Sequence, residues 1–381
     1  MNSNLANQLL ASIMNWDAQT LASERAALEF MGNMKYDGYD RYMPGMRFMS
    51  SLVQWLDQFK DDKERDVVFD FIKKKLIFIS STQMTYLVDL LYNSKIRPAL
   101  LKKATIVLNE PSYKLSSMKV KEQFRIEKRS SLVIGLSDGA HTDILRRSAG
   151  FSNEQVLTNY YPDSKKLKEM LKELGEDEIM RGIKNPFFRS IYLIDDFTAS
   201  GKSFIRFDEK DGKYHGKLKK IIDELCAENK EAQNDKPEEC HLSYLLDTVE
   251  PSINIDILFC VATEKAISNI KEGLKGYLDE SCFKRKVKCN IHVIQVLENK
   301  ISEAIKGDCE LVKVLENGEY LANDAVVSKS YTVGKHDNAY LGFDECALPV
   351  VLSHNTPNNS LPILWQDSQK FRGLFPRISR H

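Results

Sequence analysis

The sequence predicts an α/β protein in which a mainly parallel sheet is flanked by helices and preceded by an α-helical module. Three observations lead there. From about residue 115 onward, apolar runs at 132–136, 190–194, 253–262 and 288–296 alternate with amphipathic patterns at 164–174, 217–226 and 264–277, the order that strand–helix–strand units require. Ile191, Tyr192, Leu193 and Ile194 form a run without polar alternation, which suits a strand covered on both faces. Before residue 110, by contrast, apolar residues recur at the three- and four-residue spacing of helices.

In that front part, helices are expected over 5–14, 17–31, 46–59, 66–78 and 84–92. Asp17 ahead of Thr20 and Leu21, and Asp61 and Asp62 ahead of Val67, supply acidic helix starts. Pro44 and Gly45 break the pattern, and Pro98 marks a later helix start or bend. Tyr36, Tyr39, Tyr42, Met43, Met46 and Met49 read as a core of adaptable side chains in preference to a partner surface. The expected division is a helical module over 1–112, with no chemistry of its own, and an α/β domain over 113–381 that includes a Pro/Asn-rich capping segment. Within the second part, the polar stretch 207–216 reads as an inserted excursion and 229–240 as a solvent loop.

Composition narrows the function classes. With 381 residues and 43% apolar content the chain can bury a sizeable core. Lys+Arg and Asp+Glu balance at 54 each, so no global field favours nucleic acid or an anionic membrane. No apolar run approaches the ~20 residues of a membrane span. The start Met1, Asn2, Ser3, Asn4, Leu5 lacks the charged and apolar regions of a signal peptide, so a cytoplasmic location is expected. The seven cysteines form no CxxC pair, which argues for reduced thiols and against a zinc cluster or a disulfide frame. Cys240–His241 lacks the second pair that a metal site needs. The basic runs Lys284, Arg285, Lys286 and Lys217, Lys219, Lys220 have no interleaved aromatics; they read as solvated faces, and nucleic-acid binding is not indicated.

The strand at 191–194 delivers two adjacent carboxylates, Asp195 and Asp196, and then the small-residue loop Thr198, Ala199, Ser200, Gly201, Lys202, Ser203 ahead of an expected helix. Such a loop turns backbone N–H groups into one concavity, and a helix start adds positive potential. The two acids can hold Mg²⁺ through water or accept hydrogen bonds from sugar hydroxyls. The parts together suit a sugar phosphate carrying a metal-bound polyphosphate. Gly201-Lys202-Ser203 looks like the end of a Walker A motif, but that motif needs a glycine five residues earlier, where Asp196 stands.

The segment instead resembles the ribose-5-phosphate-binding signature of type I phosphoribosyltransferases: an apolar strand, two acids, three intervening residues, then Thr/Ser, Gly, any residue and Thr/Ser. Asp195 and Asp196 match the acidic pair, and Ser200, Gly201 and Ser203 match the phosphate loop, with Lys202 as in the Gly-Lys-Thr ending of hypoxanthine-type members. The resemblance implies the sheet of that family and catalytic roles for Asp195 and Asp196. It also implies an earlier strand and Gly-containing turn for pyrophosphate. The run 132–136 followed by Ser137, Asp138, Gly139 and Ala140 fits in order and separation, with a helix expected over 141–149. Arg146 and Arg147 on that helix read as a solvated end. One departure matters: many members carry an acid in the phosphate loop as general base, and Ala199 stands there. Such assistance is commonly worth ~10²–10⁴-fold, so ordinary purine salvage is not expected, and the length of the chain argues the same way.

Toward the C-terminus, three prolines and three asparagines surround His354 over 344–365, a composition that excludes a long helix or a plain strand. His354 and Asn355 could hydrogen-bond an acceptor and Trp365 stack on a base; equally, the turns could pack Leu361, Ile363 and Trp365 into a core. With the helical front end, this tail resembles phosphoribosyltransferase-like proteins associated with prokaryotic conflict and antiphage defence. The resemblance covers roughly 115–381. It implies binding of Mg²⁺ and phosphoribosyl pyrophosphate or a related nucleotide, with transfer or hydrolysis at the anomeric carbon. The alternative is a non-catalytic sensor of the same ligand, signalling through the helical module to a protein partner.

Overall fold

The computed structural model describes residues 3–111, 113–158, 162–229, 240–247, 250–321 and 339–377. In chain order the main helices and strands are α1 (Ser3–Ile13), α2 (Ala18–Met34), α3 (Phe48–Leu56), α4 (Asp62–Lys74), β1 (Ile77–Ile79), α5 (Ser81–Leu90), α6 (Arg97–Val107), α7 (Met118–Arg129) and β2 (Ser131–Gly135). There follow α8 (Thr142–Ala149), β3 (Val156–Thr158), α9 (Ser164–Glu176), β4 (Ser190–Thr198), β5 (Arg206–Asp208), β6 (Lys213–His215) and α10 (Lys217–Cys226). The chain continues through β7 (Ser252–Thr263), α11 (Glu264–Glu280), β8 (Lys286–Leu297), α12 (Asn299–Lys306), α13 (Cys309–Leu315) and β9 (Val350–Leu352).

The chain forms two compact units, one of Met1–Met84 with Glu298–His381, the other of Thr85–Leu297. The boundary expected at 112/113 therefore lies inside the second unit, between α6 and α7.

In the first unit the two ends of the chain build one aromatic core. Asp17 and Asp61 cap α2 and α4, accepting from the N–H groups of Thr20 and Glu64. Tyr36, Tyr39 and Tyr42 are buried and pack around Phe375, and Met46 and Met49 pack against the same core, but Met43 is exposed, so the stretch is core except at that methionine. The Tyr39 hydroxyl donates to the Pro376 carbonyl at 2.7 Å, which satisfies a polar group that would be costly to bury alone. Trp55 donates to the Ile363 carbonyl at 2.8 Å. The helix expected to run to residue 78 stops at Lys74, because Ile77, Phe78 and Ile79 pair in parallel with Val350, Val351 and Leu352.

The second unit is the α/β part. Its sheet has the order β3-β2-β4-β7-β8, and every pairing is parallel. Central β4 is buried along nearly its whole length, as an unalternated apolar run demands. Leu132, Ile134, Leu193, Ile255, Ile257 and Phe259 pack with Leu174, Leu218, Ile222 and Ile270 from the helices. Fully burying one such side chain contributes about 1.5–3 kcal/mol. The excursion at 207–216 is largely the antiparallel hairpin β5–β6. The solvent loop expected at 229–240 falls mostly on 230–239, outside the described residues.

Candidate functional site

β4 does not end at Ile194 but runs on to Thr198, so both acids belong to the strand. Pairing of β4 with β7 passes from Asp195↔Phe259 to Phe197↔Val261. The Asp196 N–H meanwhile turns to Asp195 Oδ1 at 3.1 Å. Asp195 is 2% exposed and Asp196 7%. Next to β4, the N–H of Leu136 reaches the Ile194 carbonyl at 2.8 Å and extends the pairing just past β2. That register delivers Ser137 to the acid pair, where its hydroxyl donates to Asp195 Oδ1. The turn Asp138–Ala140, which includes Gly139, packs beside β4. The expected pyrophosphate turn and the acid pair are thus brought together.

Burial and the neighbouring Asp196 push the Asp195 carboxyl up to about 7, against the opposing pull of Lys217 and of the Ser137 hydroxyl. Lys217 places its ammonium 3.4 Å from Asp195 Oδ2 and 4.9 Å from the centre of the Phe204 ring. Cys260, on β7 near the pair, is fully buried, and burial followed by the two carboxylates raises its thiol well above the usual range.

The loop after β4 is pinned from its outer side. Thr263, which caps α11, donates its hydroxyl to the Ala199 carbonyl at 2.5 Å, and Asn269 Nδ2 donates to the Ser200 carbonyl at 2.9 Å. Gly201 adopts φ +73°, and a Cβ there would lie 2.9 Å from Ile270 Cγ1 and 3.0 Å from the Ala266 carbonyl oxygen. Only glycine meets both demands without strain. With the loop's carbonyls turned outward, the N–H groups of Ser200, Gly201 and Ser203 have no protein acceptor among the described residues. Orphan donors at a small-residue turn form an anion cradle.

The expected helix directly after this loop is replaced by a split one. Phe204 and Ile205 donate to the Gly201 carbonyl as a first helical turn would, and the chain then leaves through β5–β6. It returns at Lys217 and Leu218, whose N–H groups bond the Ser203 and Phe204 carbonyls at 3.2 and 2.9 Å. The hairpin is therefore an insertion between the first turn and α10. Its return requires Gly216, where φ is +127° and a Cβ would sit 2.3 Å from the Phe204 carbonyl oxygen.

Arg147 pairs with Asp143 at the surface, as a solvated helix end would. His354, Asn355 and Trp365 belong to the first unit, whereas the acid pair and both loops belong to the second. Asn355 closes a tight turn with Leu352, and Trp365 is buried, its indole N–H donating to the Ser360 carbonyl at 2.7 Å. Sequence reasoning missed Lys217, which was counted with a solvated basic run; its position after Gly216 was the available signal. The polar sheet edge expected at Val261, Ala262 and Thr263 is where Thr263 caps α11, whereas Asn269, whose partner lies more than sixty residues away, went unnoticed.

Carboxylate oxygens are the donors a hard divalent cation prefers, and at Asp195 Oδ2 an ammonium already stands where positive charge is called for. Among the described residues no helix is long and apolar enough to cross a membrane. The family model PRTase-CE matches residues 52–377. No curated protein and no solved structure matches the chain.

Proposed function

As the chain belongs to the PRTase-CE family, a phosphoribosyltransferase-like family, we propose that it binds Mg²⁺ with phosphoribosyl pyrophosphate or a related nucleotide and acts at the anomeric carbon. The observation that carries this reading is the convergence, at the C-terminal ends of two adjacent parallel strands, of a buried acid pair, a serine turn and a cradle of orphan N–H groups. Ligands of open α/β sheets sit at that end of the strands.

In this reading the N–H groups of Ser200, Gly201 and Ser203, with the Ser200 and Ser203 hydroxyls, hold the 5-phosphate; Thr198, Ala199 and Lys202 complete the loop. Asp195 and Asp196 meet the ribose hydroxyls and hold the metal, directly or through water. Ser137, Asp138, Gly139 and Ala140 meet the pyrophosphate. Mg²⁺ would neutralise the polyphosphate and ease departure of its oxygen. The acid pair, fixed and withdrawn from water, favours positive charge developing at the anomeric carbon, and such electrostatic placement carries the reaction. Ser137 fixes the Asp195 carboxyl for that task by donating to Oδ1.

Ala199 offers no proton acceptor, which favours a reaction needing none at that position, or the second reading, a sensor that binds the ligand without consuming it. Following the resemblance in the sequence, the activity would serve antiphage defence. ³¹P NMR of the protein with phosphoribosyl pyrophosphate and Mg²⁺, with and without a panel of bases and nucleotides, tests the reading. Pyrophosphate release that Asp195→Asn/Asp196→Asn abolishes is expected. Intact ligand with broadened signals selects the sensor, and unaltered signals throughout would sink both.

A further inference from the structure

Once ionised, two carboxylates on one strand, 2% and 7% exposed, need positive charge nearby whether or not a ligand is present. The described structure supplies it through Lys217, and the way this lysine is mounted is unusual. Its backbone is fixed: the N–H bonds the Ser203 carbonyl at 3.2 Å, and Gly216 before it lies against Phe204 at a φ only glycine tolerates. Its head is not fixed in the same way. The side chain is 37% exposed, and the 3.4 Å to Asp195 Oδ2 exceeds the 2.7–2.9 Å of a tight charge-assisted hydrogen bond. An ammonium on a flexible four-carbon stem, as lysine is, behaves as a movable point charge.

The anchor of that stem is also part of the anion cradle. Ser203 accepts from the Lys217 N–H through its carbonyl, while its own N–H is one of the cradle's orphan donors. Lys217 therefore starts beside the phosphate position and ends at the acid pair. A divalent cation on Asp195 would set like charge against the ammonium and drive it away; an anion in the cradle would draw it.

Resting on the reading above, we propose that Lys217 is an exchangeable counter-ion, neutralising Asp195 in the empty site and transferring to the phosphate oxygens of the ligand when metal and ligand enter. The lysine couples the two events: metal alone binds against a resident charge, and phosphate binds with its help. The hairpin insertion between the first helical turn and α10 is what sets this residue at the site.

The proposal requires effects of opposite sign from one substitution. In Lys217→Met, Mn²⁺ binding to the ligand-free protein, followed by the EPR signal of the free ion, should tighten by on the order of tenfold. Binding of ribose 5-phosphate without metal, followed by calorimetry, should weaken by on the order of tenfold, the value of one charge-assisted contact. Lys217→Arg should restore the Mn²⁺ affinity of the parent protein. Circular dichroism establishes that each variant is folded. Mn²⁺ binding that weakens or stays unchanged in Lys217→Met, with ribose 5-phosphate binding intact in the parent, would overturn the counter-ion role and leave the proposed function standing. Failure of the parent protein to bind either probe would overturn both.

Discussion

Replacing Asp195 by asparagine should make the metal-free protein more stable at pH 8. The carboxyl is buried beside Asp196 and titrates at about 7, against 3.8 for an unperturbed aspartate. The folded state thus keeps its proton to higher pH than the unfolded chain does. The stability this confers is complete below about pH 4 and is lost as pH rises through 7, which leaves an ionised carboxylate that the fold tolerates poorly. About three pH units at ~1.4 kcal/mol each set a ceiling on the order of 4 kcal/mol. Asparagine keeps an oxygen for the Ser137 hydroxyl and the Asp196 N–H, and the pull of Lys217 is already contained in the raised value, but its amide N–H groups face the Lys217 ammonium without an acceptor, at a cost of about 1–3 kcal/mol. A net gain of roughly 2 kcal/mol corresponds to about 4–8 °C in Tm for a unit of 150–250 residues. Calorimetric melts of both proteins in chelator should show that gap at pH 8 and its near disappearance at pH 4. An asparagine variant that melts no higher than the parent at pH 8, or a gap independent of pH, would refute the view that the acid pair is held at the expense of stability.

Gly201→Ala should destabilise by about 1–3 kcal/mol in denaturant titration, through its left-handed φ and the clash with Ile270 and Ala266, and should abolish ligand binding. Trp365→Phe removes the indole donor from a buried site and leaves the Ser360 carbonyl short of a partner, at a cost of about 1–3 kcal/mol, while phosphoribosyl pyrophosphate binding by calorimetry is unaltered. With a colorimetric thiol reagent, the exposed Cys282 and Cys309 should react first; Cys260 and Cys346 should react only on unfolding, as peptide mapping of the labelled protein would show.

Much of the α/β half was legible because its signals are local. The run Ile191 to Ile194 suits a doubly covered strand and forms one, and α10 and the start of α11 fall where apolar periodicity sets them. The acid pair and the small-residue loop are contiguous in sequence, so that stretch of the candidate site could be picked out from one segment. What escaped depends on distant partners. Phe371 and Phe375 complete a core begun by Tyr36 and Phe48, and nothing in either segment announces the other. β1 and β9, three residues each, exist only as each other's partner. The split helix was hidden for a related reason. A hairpin of Asp, Gly and Lys reads as a polar loop, and only the return of Lys217 and Leu218 to the carbonyls of Ser203 and Phe204 reveals that it interrupts a helix. Lys217 was then misjudged because its neighbours Lys219 and Lys220 made it look like one charge among several.

The acid pair and the cradle at Ser200, Gly201 and Ser203 should act as one ligand site. Titrating phosphoribosyl pyrophosphate with Mg²⁺ into the parent protein and into Asp195→Asn/Asp196→Asn by isothermal calorimetry tests it most directly. Saturable binding of one equivalent by the parent, lost in a double variant that still unfolds cooperatively, is the predicted result. Equal affinity in the two proteins, or no heat from the parent, would contradict it.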